Sequence, residues 1–365
     1  MTPLPLLEAF KQFVNSISSP VTIFTGAIAV FTLFVTFPRQ ATSRWVSLPV
    51  LLIVLAFFGV GLTDRHFRHI VSTPDNVPIV GMIFIFGYFT WYAMKKAVTN
   101  DARLEKGEPT VEQLETNEKV LVFPYLIFIE FVVALAYALG LVLWSLILKA
   151  PLEQPANPTV SPNPSKAPWY FLGLQEMLVY YDPWIAGVLL PTFIIFGLCA
   201  IPYLDRDSTH SGFYCFKPRR SVITLYLFGF WILWILLIIT GTFLRGPNWN
   251  FFGPFETWDV HKVVPLVNVN LSEIVFIKGL GIGLPKQWFI REAPGMLVVL
   301  GYFLIAPALL AKTFLKVLYK KLDPVRYSIV VMLLLVMLAL PVKMYLRWAF
   351  NLKYLIAIPE FFFNI

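Results

Sequence analysis

Three aromatic residues in a row, with a proline before them and a glutamate after them, are the residues best suited to chemistry. They are Trp169, Tyr170 and Phe171, with Pro168 ahead and Glu176 behind. Aromatic rings offer faces against which another ring can stack, and a carboxylate can accept a proton. If this stretch is helical, Trp169 and Glu176 lie seven residues apart on one face. Ring stacking combined with proton acceptance suits the headgroup of a quinol.

The alternative interpretation of the same aromatic residues is a belt at the membrane surface, where Trp and Tyr are common. The preceding segment, Ala150–Pro168, favours a binding site instead, because it is polar and rich in proline. We predict that this segment is extended rather than helical. Both interpretations place the aromatic residues at the boundary between water and lipid.

Composition indicates a membrane protein. The chain has 365 residues, of which 58% are hydrophobic and 14% are charged, and its mean hydropathy is +0.72. Soluble domains carry about 25% charged residues. Backbone groups in lipid must be hydrogen-bonded within their own segment, so apolar runs of this kind are helices. The predicted fold class is therefore all-α, a polytopic bundle of about eight transmembrane helices.

Eight apolar runs approach or reach the length of about 20 residues that a helix needs to cross the bilayer core. The second run is short, and the sixth contains no charged residue. The runs are Val21–Phe37, Ser47–Leu62, Val77–Met94, Val120–Leu148, Pro183–Leu204, Ser221–Leu244, Pro294–Leu315 and Tyr327–Leu346. We predict an N-terminal three-helix module over residues 1–99, a charged and solvated cytoplasmic linker over 100–119, and a second membrane domain over 120–365.

The lysines and arginines predict the orientation. More than half of the 29 basic residues lie in the four loops that follow the first, third, fifth and seventh runs. Cytoplasmic loops carry such an excess, so we predict a multi-pass protein of a bacterial cytoplasmic membrane with both termini outside. The Ala150–Pro168 loop would then lie outside as well. The same clustering explains the net charge of +8 without nucleic acid as a partner. We expect no removable signal peptide at the N-terminus.

Neither the cysteines nor the histidines are spaced for a metal centre. Cys199 and Cys215 stand alone, and the absence of a CxxCH motif excludes covalent c-type haem. A bis-histidine haem needs ligands on facing helices. The histidines lie outside the apolar runs; they are His66, His69, His210 and His261. We expect this chain to ligate no metal and no haem, and the alternative is a haem of its own held by His66, His69 or His261.

Glu130 is an acid inside the fourth apolar run. A charged group at membrane depth usually faces a cavity or a protein partner. A role in proton uptake or quinone binding on the inner side and a structural hydrogen bond to a neighbouring helix are equally compatible with the sequence.

From Val120 onward the chain resembles the C-terminal half of cytochrome b, which also occurs separately as subunit IV of the cytochrome b-f complex. The resemblance rests on an apolar run, a proline-rich loop over 151–158, the motif Ala167-Pro168-Trp169-Tyr170-Phe171-Leu172, and a following run that ends near Asp205. It implies a membrane subunit of a bc-type quinol:cytochrome c oxidoreductase, not catalytic alone, that completes a quinol-oxidation site on the outer side. The implied partners are a separate haem-bearing cytochrome b subunit, a Rieske-type iron–sulfur protein, a c-type cytochrome and membrane lipid.

The motif departs from the family at one position. The family has Pro-Glu-Trp-Tyr, whereas this chain has Pro168 in place of the glutamate that usually accepts the proton. We therefore predict Glu176 as the substitute proton acceptor, with Pro168, Trp169, Tyr170 and Phe171 binding the quinol at a site shared with another subunit. The sequence leaves the quinone species open, menaquinol included.

Two other functions compete with this one. The first is a purely structural or docking subunit of another respiratory or photosynthetic electron-transfer complex, which the missing glutamate favours. The second is a secondary transporter, but transporters usually show internal repeats, and the two halves of this chain show none. Under the preferred function, the first three apolar runs would form an extra module that docks neighbouring proteins.

Overall fold

The computed structural model describes residues 5–115, 121–148, 155–205 and 213–365. Helices dominate these ranges. Two short strands, β1 (Ala357–Ile358) and β2 (Phe363–Asn364), pair antiparallel near the C-terminus. The predicted all-α class is confirmed.

Two helices at the N-terminus, α1 (Pro5–Ile17) and α2 (Pro20–Thr36), meet at a bend of 87°. Seven further helices of the described chain are long and apolar enough to cross a membrane, and the bent pair makes up to eight. This agrees with the predicted count. The seven are α3 (Arg44–Thr63), α4 (Asn76–Leu104), α5 (Val122–Ile147), α6 (Ile185–Leu204), α7 (Arg220–Leu244), α8 (Ala293–Lys312) and α9 (Pro324–Phe350).

Shorter helical segments lie between the long helices. They are Pro38–Ala41, Arg65–Val71, Val111–Glu115, Trp169–Phe171, Leu172–Met177, Pro247–Trp249, Glu273–Gly279, Trp288–Arg291, Lys316–Lys321 and Pro359–Phe361. The described part of the proline-rich loop, residues 155–168, contains no helix, as predicted. Residues 150–154 of that loop lie outside the described residues.

Helix α9 shows how local sequence sets the ends of a span. The Asp323 carboxylate caps the helix by accepting from the backbone N–H of Arg326 at 3.0 Å, and Pro324 takes the first helical position. The helix ends at Asn351, which adopts the left-handed conformation with φ 54°. These residues bound a helix that is longer at both ends than the predicted run.

The first two residues of the predicted linker lie in a helix. Helix α4 continues through Asn100 and Asp101, and both residues are buried. The Asp101 carboxylate accepts from the backbone N–H groups of Phe216 and Lys217 at 3.2 and 3.0 Å. Because these bonds join segments more than 100 residues apart, the charge-rich sequence alone could not reveal the burial. Residues 116–119 of the linker lie outside the described residues.

Contacts divide the chain into two compact units. The first unit comprises Met1–Phe31, Asn163–Asp207 and Tyr226–Ile365, and the second comprises Thr32–Pro162 and Ser208–Leu225. The three-part division proposed from the sequence follows other boundaries and stays a prediction.

The first unit has its main core between α2, the helix Leu172–Met177, α7 and α9. Its buried centre includes Phe24, Tyr180, Leu237 and Met344. The residues after α9, 351–365, are called the C-terminal segment. This segment packs near the start of α6, where Asn364 Nδ2 donates to the Asp182 carboxylate at 3.2 Å.

Candidate functional site

The aromatic motif lies on a short turn of the first unit. Trp169–Phe171 forms a 3-10 turn, and the six-residue α-helix Leu172–Met177 follows it. The side chains of Tyr170 and Phe171 are 47% and 49% exposed, and their ring centroids lie 4.6 Å apart. Trp169 contacts the edge of Tyr170 at 5.6 Å and is partly buried. These three side chains form an aromatic surface that is open on the side facing away from the protein.

The loop ahead of the aromatic surface is held in place by Gln175. The backbone N–H of Ala167 donates to Oε1 of Gln175 at 2.9 Å, and Nε2 of Gln175 donates to the carbonyl of Ser165 at 2.8 Å. Both polar ends of one amide are therefore used to fasten the loop to the helix that follows it. The loop includes Pro168, which directly precedes the aromatic surface.

A second segment, the turn over residues 245–251, faces this loop and is called the Arg245 turn. Asn248 and Trp249 adopt left-handed backbone conformations, with φ 57° and φ 56°. The Asn163 side chain accepts from the backbone N–H of Asn248 at 2.7 Å and donates to the Asn248 side chain at 2.9 Å. Lys166 Nζ donates to the carbonyl of Thr242 at 2.7 Å. The proline-rich loop is thus bound to the end of α7 and to the Arg245 turn.

Glu176 and Arg245 form a buried ion pair between these two segments. Nη2 and Nε of Arg245 donate to Oε1 and Oε2 of Glu176 at 2.6 and 2.9 Å. Nε1 of Trp249 also donates to Oε2, at 3.2 Å. Glu176 is 1% exposed. Burial alone would lower the pKa of Arg245, but the Glu176 carboxylate raises that pKa above its usual value.

This geometry supports a positioning role for Glu176. A general base must lie within hydrogen-bonding reach of its proton donor, whereas both carboxylate oxygens here accept from Arg245 and Trp249. The stretch over Trp169–Met177 consists of a 3-10 turn and a short α-helix rather than one continuous α-helix. The role of proton acceptor proposed for Glu176 stays a prediction.

A narrow cleft lies behind the ion pair. Glu176, Tyr180 and Thr240 line it together with apolar side chains of α2 and α9. It has room for about one water molecule, which is far less than a quinol ring requires. Burial and the nearby Glu176 charge raise the pKa of Tyr180, so this phenol stays protonated. A cleft of this size does not accommodate a ring-shaped ligand.

Residues 155–258 match the family model described as cytochrome b(C-terminal)/b6/petD. The resemblance to the C-terminal half of cytochrome b is confirmed over this segment. It contains the aromatic surface, Glu176, the helices α6 and α7, and the Arg245 turn. No curated protein and no solved structure matches the chain. The family match supports a membrane subunit of a bc-type complex that contains other subunits.

The other residues singled out from the sequence lie on other elements of the fold. Glu130 lies on α5 in the second unit and is exposed. His66 and His69 lie on the short helix Arg65–Val71, and His261 lies in a loop of the first unit. His210 lies outside the described residues. Over those residues, groups of three or more His, Cys, Asp or Glu that could hold a metal ion are absent. The expectation that the chain ligates no haem stays a prediction.

Two basic residues that matter to the fold were missed in the sequence. Arg245 directly follows the most apolar run, and nothing in its local sequence indicates its buried partner. Lys343 lies inside the last predicted run and is 2% exposed, with Nζ 5.7 Å from the Tyr181 ring centroid. Its Nζ has no hydrogen-bond partner among the described residues. A charged residue within an apolar run was the signal that could have identified it.

Lys166 gives the loop a testable dependence on pH. Burial lowers the pKa of Lys166 to about 8, from 10.5. Between these two pH values the unfolded chain binds the proton and the folded chain does not, so stability should rise with pH. We expect the wild type to gain stability between pH 8 and pH 10 relative to the Lys166→Met variant. Thermal unfolding of the detergent-solubilised protein at each pH measures the difference.

The matched control for Lys166 is Lys286, an exposed lysine of the same unit. The Lys286→Met variant should follow the wild type across the pH range. Unfolding temperatures of wild type and Lys166→Met that run parallel from pH 7 to pH 10 would contradict the prediction.

Proposed function

We propose that this chain completes a quinol-oxidation site on the outer side of a bacterial cytoplasmic membrane, together with a separate haem-bearing cytochrome b subunit. The complex would be a bc-type quinol:cytochrome c oxidoreductase with a Rieske-type iron–sulfur protein and a c-type cytochrome. The observation that carries the proposal is the open aromatic surface, held by hydrogen bonds and a buried ion pair inside the segment that matches the cytochrome b family.

The exposure of the aromatic surface supports a site shared between subunits. Tyr170 and Phe171 leave about half of their side-chain area uncovered, and the cleft behind Glu176 is too small for a ring. A quinol stacked on these rings needs a second wall to exclude water from its other face. The partner cytochrome b subunit would supply that wall and its haem would accept one electron.

The residues of this chain would bind and orient the substrate. Oxidation of one quinol releases two electrons and two protons, with the electrons going to the iron–sulfur protein and to the haem of the partners. Trp169 and Phe171 would stack against the ring, and the Tyr170 hydroxyl would hydrogen-bond to a quinol oxygen. Pro168 supplies no carboxylate or N–H, so the first proton would leave through water or through Glu176 after its ion pair opens.

The charge pattern supports the orientation in this proposal. The predicted cytoplasmic loops carry the excess of lysine and arginine, which supports an outer position for the proline-rich loop and both termini. In the cytochrome b family the corresponding loop also lies on the positive side of the membrane.

The test is the Tyr170→Ala variant in the assembled complex. Loss of the ring should lower quinol:cytochrome c turnover by about tenfold, because a stacked aromatic pair and its hydroxyl bond contribute on the order of 1.4 kcal/mol. The Tyr170→Phe variant keeps the ring and should lose less. Steady-state turnover per haem measures both.

The control for the Tyr170 variant is Tyr203→Ala, which removes a tyrosine that is 76% exposed on α6. Its turnover should equal that of the wild type, and the haem content of all variants should be unchanged. Full turnover in Tyr170→Ala would contradict the proposal. It would favour the second candidate, a structural or docking subunit, which the replacement of the family glutamate by Pro168 supports.

A further inference from the structure

Helix α1 meets helix α2 almost at a right angle. The bend between the two helices is 87°. Ser19 and Pro20 set this bend. The Ser19 hydroxyl accepts from the backbone N–H of Thr22 at 3.1 Å and so caps α2, and Pro20 takes the first helical position. Because proline has no N–H, it cannot continue the hydrogen bonds of α1 into α2. The two helices are therefore separate elements, and α1 runs across the axis of α2.

Helix α2 has the length and the surroundings of a membrane span. Its 17 residues extend about 26 Å, close to the thickness of about 30 Å of the hydrocarbon core. Phe24 lies in the same buried core as residues of α7 and α9, and the hydroxyls of Thr25 and Tyr345 lie 2.8 Å apart. Since α2 crosses the membrane beside these helices, a helix perpendicular to its end lies in the plane of the membrane surface.

One face of α1 holds the loop over residues 253–255. Asn15 Oδ1 accepts from the backbone N–H of Phe255 at 2.9 Å. Gly253 lies so close to this oxygen that an added Cβ would come within 2.6 Å of it. The ring centroids of Phe10 and Phe255 lie 6.4 Å apart, and this contact covers part of Phe10. Helix α1 is therefore packed against the loop on the side that carries Asn15.

The opposite face of α1 is an exposed apolar stripe. Leu6, Phe13 and Ile17 are 84%, 61% and 46% exposed. On a helix of 3.6 residues per turn these three side chains lie within an arc of about 40°, and the centre of that arc is about 180° from Asn15. The stripe contains no group that forms hydrogen bonds, and the described residues leave it largely uncovered. Water is a poor neighbour for such a surface.

We propose that α1 is an interfacial helix whose stripe lies in lipid, just beneath the phospholipid headgroups. Amphipathic helices of this kind lie in the membrane plane with their apolar face about 5 to 10 Å into the boundary between headgroups and acyl chains. The loop over residues 253–255 then lies on the water side of α1. The helix is thus held between this loop and the lipid of one leaflet.

Lipid fits the stripe better than a protein partner does. Two of the polar side chains of α1 are turned to the chain itself, since Glu8 pairs with Lys11 at 3.1 Å and Asn15 bonds to Phe255. A neighbour would therefore find only apolar surface on the stripe. Three side chains are also far less than the roughly 800 Å² per partner of a stable protein interface. The bend next to α2 places the stripe where hydrocarbon begins.

The interfacial helix has a consequence for the Arg245 turn. The loop over residues 253–255 follows this turn directly, and the turn is bound to the proline-rich loop through Asn163 and Asn248. Helix α1 would hold both at the level of the membrane surface. The inference rests on the contacts of α1 and not on the quinol site, so the turnover of Tyr170→Ala leaves it unaffected.

Spin labels on the full complex in vesicles of phosphatidylcholine and phosphatidylglycerol test the inference. Each label is attached through a noncanonical amino acid, so that the native cysteines stay in place. Labels at Phe13 and Ile17 report on the stripe, and labels at Gln12 and Ser16, which are exposed polar positions of α1, are the matched controls. Collisions with oxygen, which concentrates in lipid, and with a water-soluble nickel chelate locate each label.

We expect the ratio of oxygen to nickel collisions to be about fivefold higher at Phe13 and Ile17 than at Gln12 and Ser16, at a depth of about 5 to 10 Å. Labels on the stripe that collide with neither reagent would lie beneath another protein. Labels on the stripe that collide mainly with nickel would lie in water. Either result would overturn the inference.

A charge placed on the stripe gives a second readout. The Phe13→Glu variant brings a carboxylate into the lipid and should lift α1 from the boundary, which should raise deuterium uptake in residues 253–255 by about tenfold. The control Gln12→Glu adds the same charge on the polar side and should leave the uptake unchanged. Equal uptake in the two variants would count against the inference. The spin labels still decide the matter if Phe13→Glu fails to assemble.

Discussion

Replacing Arg245 by glutamine is expected to destabilise the first unit by about 3 to 5 kcal/mol, because the Glu176 carboxylate would then be buried without a positive charge. Trp249 would still donate one hydrogen bond to that carboxylate. The loop that carries the aromatic surface should also loosen, since the ion pair joins it to the Arg245 turn. Unfolding in mild detergent measures the stability, and limited proteolysis measures the exposure of the loop.

The controls for Arg245 separate a buried pair from a surface pair. Arg39 and Glu105 form an ion pair in which both side chains are about half exposed. The Arg39→Gln variant should lose less than about 1 kcal/mol. The double variant Glu176→Leu with Arg245→Met removes both charges and should recover much of the stability lost in Arg245→Gln. An Arg245→Gln protein as stable as Arg39→Gln would show that the ion pair does not hold the loop.

The same variants distinguish the two roles of Glu176 in the assembled complex. If Glu176 only positions the loop, the double variant should regain quinol oxidation along with stability. If Glu176 accepts a proton from the quinol, Glu176→Gln and the double variant should both stay slow, and the dependence of turnover on pH should change. Unchanged turnover in Glu176→Gln would remove the proton-acceptor role.

The Gly295→Ala variant is expected to release the C-terminal segment from the first unit. A Cβ at Gly295 would collide with the carbonyl oxygen of Leu355, which is backbone and cannot turn away. Leu355 is itself held by a hydrogen bond from its N–H to the carbonyl of Ile365 at 2.6 Å. Overpacking of this kind should cost about 1 to 3 kcal/mol. Thermal unfolding and carboxypeptidase digestion measure the effect.

The matched control for Gly295 is Gly81, a glycine of α4 where an added Cβ meets no atom within 4 Å. The Gly81→Ala variant should be neutral or slightly more stable, because alanine favours the helix. If Gly295→Ala has the same unfolding temperature and the same resistance to carboxypeptidase as Gly81→Ala, the close packing of the C-terminal segment is contradicted. The loss of packing in Gly295→Ala should also weaken the contact between Asn364 and Asp182, just before the start of α6.

The membrane-spanning helices could be predicted from the sequence because each one satisfies its backbone within a single apolar run. The run Ser221–Leu244 became the helix Arg220–Leu244, whereas α4 continues to Leu104, past the predicted end at Met94. The aromatic motif and the proline-rich loop could also be recognised from short stretches of sequence. The family match over residues 155–258 includes both of them. These features depend on neighbouring residues only.

The partners of Glu176 and Asp101 could not be predicted, because each of these contacts joins segments that are far apart in the chain. Glu176 and Arg245 are 69 residues apart, and nothing in either local sequence indicates that they meet. Asp101 lies in a run that is rich in charge and would normally be solvated, yet the fold buries it against Phe216. Hydropathy and spacing determined the spans and the exposed rings of the motif, and only the tertiary structure decided which charges are buried together. The physical reason is that ion pairing depends on distance in space, whereas helix formation depends on distance along the chain.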